Sequence, residues 1–451
     1  MRVGASRYSI RHWGIAIVLA GLFIVAAAPE AGAVPSFSRQ TGDPCAACHV
    51  GAFGFQLTPR GRQFKLDGYT DTKSDYTWTP PISGMAVGSF THTEKKSAEP
   101  IPHYDRNDNF ALDEASLFIA GKIAGPVGAF IQGTYEDPER NAQLDNVDIR
   151  VAHAFNIKDV DVTLGATINN NPTVQDLWNS TPAWGFPFAS SPFAPEVPGT
   201  VIEGRLEQTV VGMTFYSMIA NTVYVEAGGY KSLSRDAVDG IGIDPLETDR
   251  IKGTSPYWRV ALQQDWGSQY ASIGTFGLFT ELYPGRDRSN GTDKFTDIGF
   301  DFTYQFLGTR QHILQTNITY IHEFQNLDAS QKAGDAQNTH NHLNSFKING
   351  SYYYDNTYGL TLGYFNTWGS HDALLFEDNR VDKPNTEGFI IQADFTPFGK
   401  EGSLLGPWAN LRFAIQYTAY TKFNGSESNF DGSGRKASDN NTLFLYTWLA
   451  F

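Results

Sequence analysis

Cysteine is almost absent, with two residues in 451, Cys45 and Cys48. That excludes a fold stapled by many disulfides. Charge is also scarce, at 18%, and it leans acidic, with 48 Asp and Glu against 34 Lys and Arg. An acidic surface is a poor partner for nucleic acid, and weakly favours cations. After residue 33 no run is long and apolar enough to cross a membrane as a helix. Aromatics and glycine are abundant instead, at 14% and 44 residues. That composition suits a large barrel with aromatic girdles and many turns, with a secreted β-sandwich as the competing reading.

The N-terminus has the layout of an export signal. Arg2, Arg7 and Arg11 form a basic head, and Trp13–Ala28 is an uncharged, mostly apolar run of 16 residues. Ala31-Gly32-Ala33 then offers a small-residue cleavage site, with Val34 as the expected mature start. The run is short of the roughly 20 residues of a spanning helix. Removing residues 1–33 takes away three Arg and one Glu and moves the net charge from −14 to −16.

Both cysteines lie in Cys45-Ala46-Ala47-Cys48-His49. Cys-x-x-Cys-His is the attachment pattern of haem c. The spacing brings two thiols to the two vinyl groups of one haem, and the next residue supplies an imidazole to the iron. Cys45 and Cys48 are therefore the expected covalent anchors and His49 the proximal ligand. A zinc site would need two further Cys or His nearby, which are missing. A redox-active Cys-x-x-Cys is the remaining alternative. Residues 34–78 are too few for a free-standing cytochrome, and a haem left there would expose large apolar faces. Residues 79–451 must supply its cover.

Those residues alternate. Ile298, Phe300, Phe302, Tyr304 and Phe306 interleave with Asp297, Gly299, Asp301, Thr303 and Gln305. The stretches 389–396 and 411–418 behave alike. Period 2 means strand, and a polar phase holding Asp and Arg fits a wet lumen inside a lipid-facing wall. About 16 candidate strands follow, from 82–92 and 109–122, through 205–217 and 219–230, to 409–421 and 440–451. The chain ends on Phe451, in phase with Leu443, Leu445 and Leu449, like a barrel-closing strand. The expected fold is all-β: an antiparallel transmembrane barrel of about 16 strands, its lumen plugged by a short N-terminal haem segment. The expected domains are 1–33 signal peptide, 34–78 monohaem segment and 79–451 barrel.

Asn169 to Gly204 breaks the rhythm, with Trp178, Trp184 and six prolines, at 172, 182, 187, 192, 195 and 198. Proline this dense cannot pair inside a sheet. The segment is either a loop folded into the lumen or a long extracellular loop. The polar stretches 231–256, 283–292, 325–341, 370–385 and 422–440 read as extracellular loops.

Pro35-Ser36-Phe37-Ser38-Arg39-Gln40-Thr41-Gly42, the haem motif, and Leu57-Thr58-Pro59 through Gly68-Tyr69-Thr70 together resemble the fused monohaem cytochrome–porins of the bacterial outer membrane. The stretch 171–186 is similar to that family too. Its best-known members are the iron oxidases of Fe(II)-oxidising bacteria. Here the spacer Val50–Gln56 is longer than in those members and lacks their Phe-Pro-Glu, so the wider family is implied more directly than iron. The resemblance implies an outer-membrane electron-transfer protein with one haem c. Electrons would pass from an extracellular donor, Fe(II) in the best-known members, to a periplasmic c-type cytochrome or other carrier. As an enzyme it would be an Fe(II):cytochrome c oxidoreductase.

The distal haem ligand is open among Met85, His92 and His103. His92 shares a phase with Gly84, Ala86 and Gly88, whose small side chains would leave room for a macrocycle. Arg39, Arg60, Arg62 and Lys65 surround the haem segment as candidate partners of its propionates. His153 and His322 read as interfacial, and Arg150 and Arg412 as lumen-lining. The alternatives are a porin whose haem plug gates solute transport, and electron export to an extracellular acceptor.

Overall fold

The computed structural model describes residues 34–451, so the expected signal peptide, 1–33, lies outside the described residues. Sixteen long strands run in chain order: β1 Ile82–Thr93, β2 Asn109–Ala124, β3 Val127–Glu136, β4 Asn141–Ile157, β5 Val160–Asn169, β6 Val210–Ile219, β7 Val223–Ser232, β8 Ser255–Asp265, β9 Gln269–Tyr283, β10 Asp293–Phe306, β11 His312–Asn326, β12 His340–Tyr354, β13 Tyr358–Gly369, β14 Thr386–Phe395, β15 Asn410–Lys422 and β16 Thr442–Ala450. A two-residue piece, Arg250–Ile251, joins the sheet beside β9. Each long strand pairs antiparallel with the next, and β16 pairs with β1, from Met85↔Ala450 to Thr93↔Thr442. The sheet is thus a closed barrel with no open edge, of the outer-membrane porin type.

The wall is inside-out. In β10, Asp293, Asp297, Asp301, Thr303 and Gln305 are buried while Phe300 stands 53% exposed on the outside. Phe215, Ile273, Leu362, Phe389 and Ile415 are likewise exposed outward on their strands. Exposing one such side chain costs roughly 1.5–3 kcal/mol relative to burial, so a belt of them needs lipid against it. At one rim Tyr358, Phe395 and Phe413 stack in a row, as in an aromatic girdle.

The two ends differ. Connections such as Gly125-Pro126, Lys158-Asp159 and residues 355–357 are tight, whereas 94–108, 233–254, 370–385 and 423–441 are long and share the opposite end. Short turns are periplasmic in such barrels and long loops extracellular. β6 and β7 begin a few residues later than their sequence pattern suggests; before β6, Val201–Glu203 forms a 3₁₀ turn whose N–H groups donate to Glu323 and Asp297 of the wall.

Residues 34–81 enter the lumen from the short-turn end as a plug. Its helices are α1 Pro35–Thr41, the single turn α2 Cys45–Cys48, and α3 Pro59–Leu66. Thr58 caps α3, accepting from Gly61 N, with proline next in the sequence where its missing N–H costs nothing. The last carbonyls of α3 need donors. Arg150 Nη1 donates to Lys65 O at 3.0 Å and Tyr216 Oη to Leu66 O at 2.8 Å, both from the wall. The plug lies so close to β3 that a Cβ at Gly128 would stand 2.0 Å from the Gly68 carbonyl oxygen.

Candidate cofactor site

α2 puts the Cys45 and Cys48 sulfurs three residues apart on one helical turn, which closes with His49 N–H donating to Cys45 O at 2.8 Å. The turn is held from the wall. Ala46 N donates to Gly399 O at 2.9 Å, Asn410 Nδ2 to Ala52 O at 2.7 Å and to Cys45 Sγ at 3.3 Å. Gly51 N donates to Asn356 Oδ1 at 3.0 Å. These partners belong to the short-turn rim, so the motif sits near the periplasmic mouth.

Above it opens a cavity of about 630 Å³, within the range of ordinary ligand pockets. Cys45, Cys48 and His49 line it, together with Phe55, Phe118, Phe130, Trp184, Phe188 and Trp448. His49 is half-buried, and its Nδ1 is buried without a hydrogen-bond partner. Burial pulls its pKa down to about 4, with the Gly54 backbone opposing and Arg412 adding to the shift. A neutral imidazole is the form that ligates iron. Two sulfurs on one turn, a neutral imidazole next to them and a chamber with a large aromatic share fit a covalently held haem. Burial first, then Asp43, pushes the Cys48 thiol up to about 12. An attacking thiol needs the opposite shift.

The candidate distal ligands separate. Met85 lines the cavity and is 8% exposed. The inward face of β1 is Met85, Val87, Ser89 and Thr91. Hence the expectation that this phase faces a macrocycle is corrected for Ala86, Gly88 and His92, which lie on the outer phase; of the four only Gly84, at the start of the strand, lines the cavity. His92 instead meets Asp108 at 2.6 Å through Nδ1, near the long-loop rim. His103 is exposed in loop 94–108. His153 is exposed on the wall and His322 partly so, with Nδ1 at 2.7 Å from Asn344 Oδ1.

Of the four basic plug residues, three are committed elsewhere. Arg39 donates to Ile82 O at 2.5 Å, Arg60 pairs with Asp43 and Asp71, and Arg62 bonds Leu57 O and Gln305 Oε1. Only Lys65 of the four lines the cavity. Its Nζ donates to Val174 O and Asn179 Oδ1, each at 2.9 Å, leaving a third proton for an anion. Burial, then Arg150, lowers its pKa to about 7, against Asp148, Asp176 and Glu226.

The proline-rich segment is folded into the lumen. Asp176 meets Arg259 Nη2 at 3.2 Å, and Arg259 also grips Asp301 through both terminal nitrogens at 2.9 Å. Burial resists the charge on Asp176, but Arg259 and Lys65 outweigh it and hold the carboxyl below the ordinary range. Trp184 reaches the cavity and packs 5.0 Å from Phe55. A second cavity of about 480 Å³ lies on the other side of this segment, toward β11–β15.

Sequence patterning did not anticipate the acidic wall of the first cavity: Asp113, Glu114, Glu136, Glu139, Asp145 and Glu207. Two of these are bulge residues. The β1–β2 register jumps from Val87↔Glu114 to Gly88↔Leu112, leaving Asp113 extra, and β3–β4 jumps from Ile131↔Val147 to Gly133↔Leu144. A bulge re-aims a side chain that alternation would send outward. Among the described residues no three His, Cys, Asp or Glu side chains are arranged to hold a bare metal ion. The carboxylates form a field, not a chelating cage.

No protein-family model matches the chain, and no curated protein matches it. Among solved structures it is similar to the outer-membrane channel DcaP of Acinetobacter baumannii, at 13% identity and TM-score 0.44, covering 82% of this chain and 96% of that one. It is similar to a loop-deletion mutant of OmpT of Vibrio cholerae, at 10% identity and TM-score 0.43, over 82% and 98% of the two chains. An anion-selective porin from Comamonas acidovorans follows, at 11% identity and TM-score 0.41, over 82% and 98%. At these values the likeness says nothing of what binds in the lumen.

Proposed function

We propose that this porin-like barrel resides in the bacterial outer membrane and moves electrons from an extracellular donor, through one haem c, to a periplasmic carrier. The observation that carries the reading is the Cys45–His49 turn set against an aromatic cavity inside a closed barrel. When bound, haem c supplies a one-electron relay between ferrous and ferric iron. Cys45 and Cys48 would hold it by thioethers, His49 would ligate the iron, and Lys65 would meet a propionate. Phe55, Trp184, Phe188 and Trp448, which line the cavity, would keep water off the macrocycle. The motif's place near the short-turn rim supports delivery to a periplasmic c-type cytochrome, since the barrel is about 25 Å tall and one haem cannot touch both faces.

The cavity's charge favours a cationic donor. Seven acidic residues and one Lys line it, Glu207 keeping its proton up to about pH 7, and a cleft of one sign concentrates counter-charged substrates. Glu136 and Asn141 mark the long-loop ends of β3 and β4, so the acidic wall lies on the approach from outside. Fe(II) is the donor that combines this charge with the resemblance of residues 35–70 to iron-oxidising cytochrome–porins. Anaerobic addition of Fe(II) to the purified holoprotein in a stopped-flow spectrometer tests it. The expected result is the ferrous haem spectrum, and an unchanged ferric spectrum at neutral pH removes iron as donor. The second reading is a solute channel, favoured by the cavity of about 480 Å³ beside the lumen loop.

A further inference from the structure

Resting on the haem reading above, we propose that the Met85 thioether supplies the axial ligand opposite His49. Haem iron in proteins takes imidazole, thiolate, thioether or phenolate ligands. Besides His49 and the two anchoring cysteines, the cavity offers Met85 and Tyr69 in those classes, and Lys65 as an amine. Tyr69 is committed, its Oη donating to Asp148 Oδ2 at 2.6 Å. The Lys65 amine is held between Val174 O and Asn179 Oδ1. Among the described residues no histidine other than His49 lines this cavity.

Met85 is also well placed. It packs in the same buried cluster as Cys45, the first residue of the attachment turn, and Phe53 just beyond it. Its backbone is paired on both sides, to Ser116 of β2 and Ala450 of β16, so the side chain springs from fixed wall. Of the other described methionines, Met213 is 47% exposed on the outer wall. Met218 belongs to a different cluster, with Trp178 and Tyr224. A thioether favours ferrous over ferric iron relative to a second imidazole and so raises the potential. It also closes the sixth position to small exogenous ligands. Met85 thereby sets which donors can reduce the site.

The test compares full-length holoprotein as wild type, Met85→Leu, Met85→His and Met218→Leu. Covalent haem is first scored on a denaturing gel by haem staining. Absence of stain from the wild type overturns the haem reading itself, and with it this ligand. With haem attached, the wild type should show low-spin ferric haem with the far-red sulfur-to-iron charge-transfer band, and no carbon monoxide binding when reduced. Met85→Leu should keep covalent haem, lose that band, turn high-spin and bind carbon monoxide. Met85→His should stay low-spin without the band and at a lower potential, which holds even if the Leu variant is poorly assembled. Met218→Leu should match wild type. The band persisting in Met85→Leu or Met85→His, or missing from haem-bearing wild type, overturns the assignment.

Discussion

Arg412, on the barrel wall, donates from Nη2 to the carbonyl oxygen of Phe53 in the plug at 2.9 Å. The guanidinium is fully buried, lies 5.2 Å over the Phe53 ring, and has Asp394 at 3.8 Å. Arg150 repeats the device at the C-terminal end of α3. Wall cations that satisfy plug carbonyls make the plug part of the barrel's interior, not a tethered appendage.

Arg412→Leu should therefore loosen the plug. It removes a charge-assisted bond and leaves Asp394 buried without its partner, a loss of about 3 kcal/mol. Limited proteolysis should cut residues 34–78 faster than in wild type, while the strands stay protected. Equal protection of the plug would show that the clamp is idle.

Because plug and lumen loop meet both walls, the intact barrel should conduct poorly. In planar bilayers, replacing residues 172–199 by a short flexible linker should raise the single-channel conductance severalfold. Large, steady conductance of the wild type would favour the solute-channel reading.

Glu207 gives a pH signature. Burial, then Asp145 and Glu136, raises its pKa to about 7 from 4.5. The folded state therefore holds a proton that the unfolded chain has released. Its stabilising contribution is complete below about pH 4.5 and is lost as pH rises through about 7. Relative to Glu207→Gln, the wild type should lose up to about 3 kcal/mol across that window. Thermal melts of both proteins at pH 4.5 and 8 give the difference, and parallel profiles would refute it.

If the acidic wall gathers a cationic donor, Glu139→Gln should slow haem reduction by Fe(II) severalfold at low ionic strength. The gap should close as salt screens the field. A rate independent of both charge and salt would count against donor steering.

Much of this was legible in the sequence. Alternation exposed the strands because a lipid-facing wall must reject charge at every second position, as from Asp297 to Phe306. Cys45-x-x-Cys48-His49 is a local spacing, so the placement of both cysteines on one turn needed no fold to be read. What failed was information that period 2 does not carry. Alternation in β1 cannot say which phase faces inward, and the small residues Ala86 and Gly88 misled because they lie on the outer phase. The bulges at Asp113 and Asp145 insert residues that break the count, hiding the acidic wall. The prolines from 172 to 198 forbade a strand, but the Asp176–Arg259–Asp301 linkage that draws their loop inward is non-local.

The most direct test of the account is the intact mass of the mature chain, produced in cells that carry out covalent haem attachment. The predicted mass exceeds that of the polypeptide by one haem, and the increment vanishes when Cys45 and Cys48 are both changed to alanine. A colourless barrel at the mass of the bare polypeptide would contradict it.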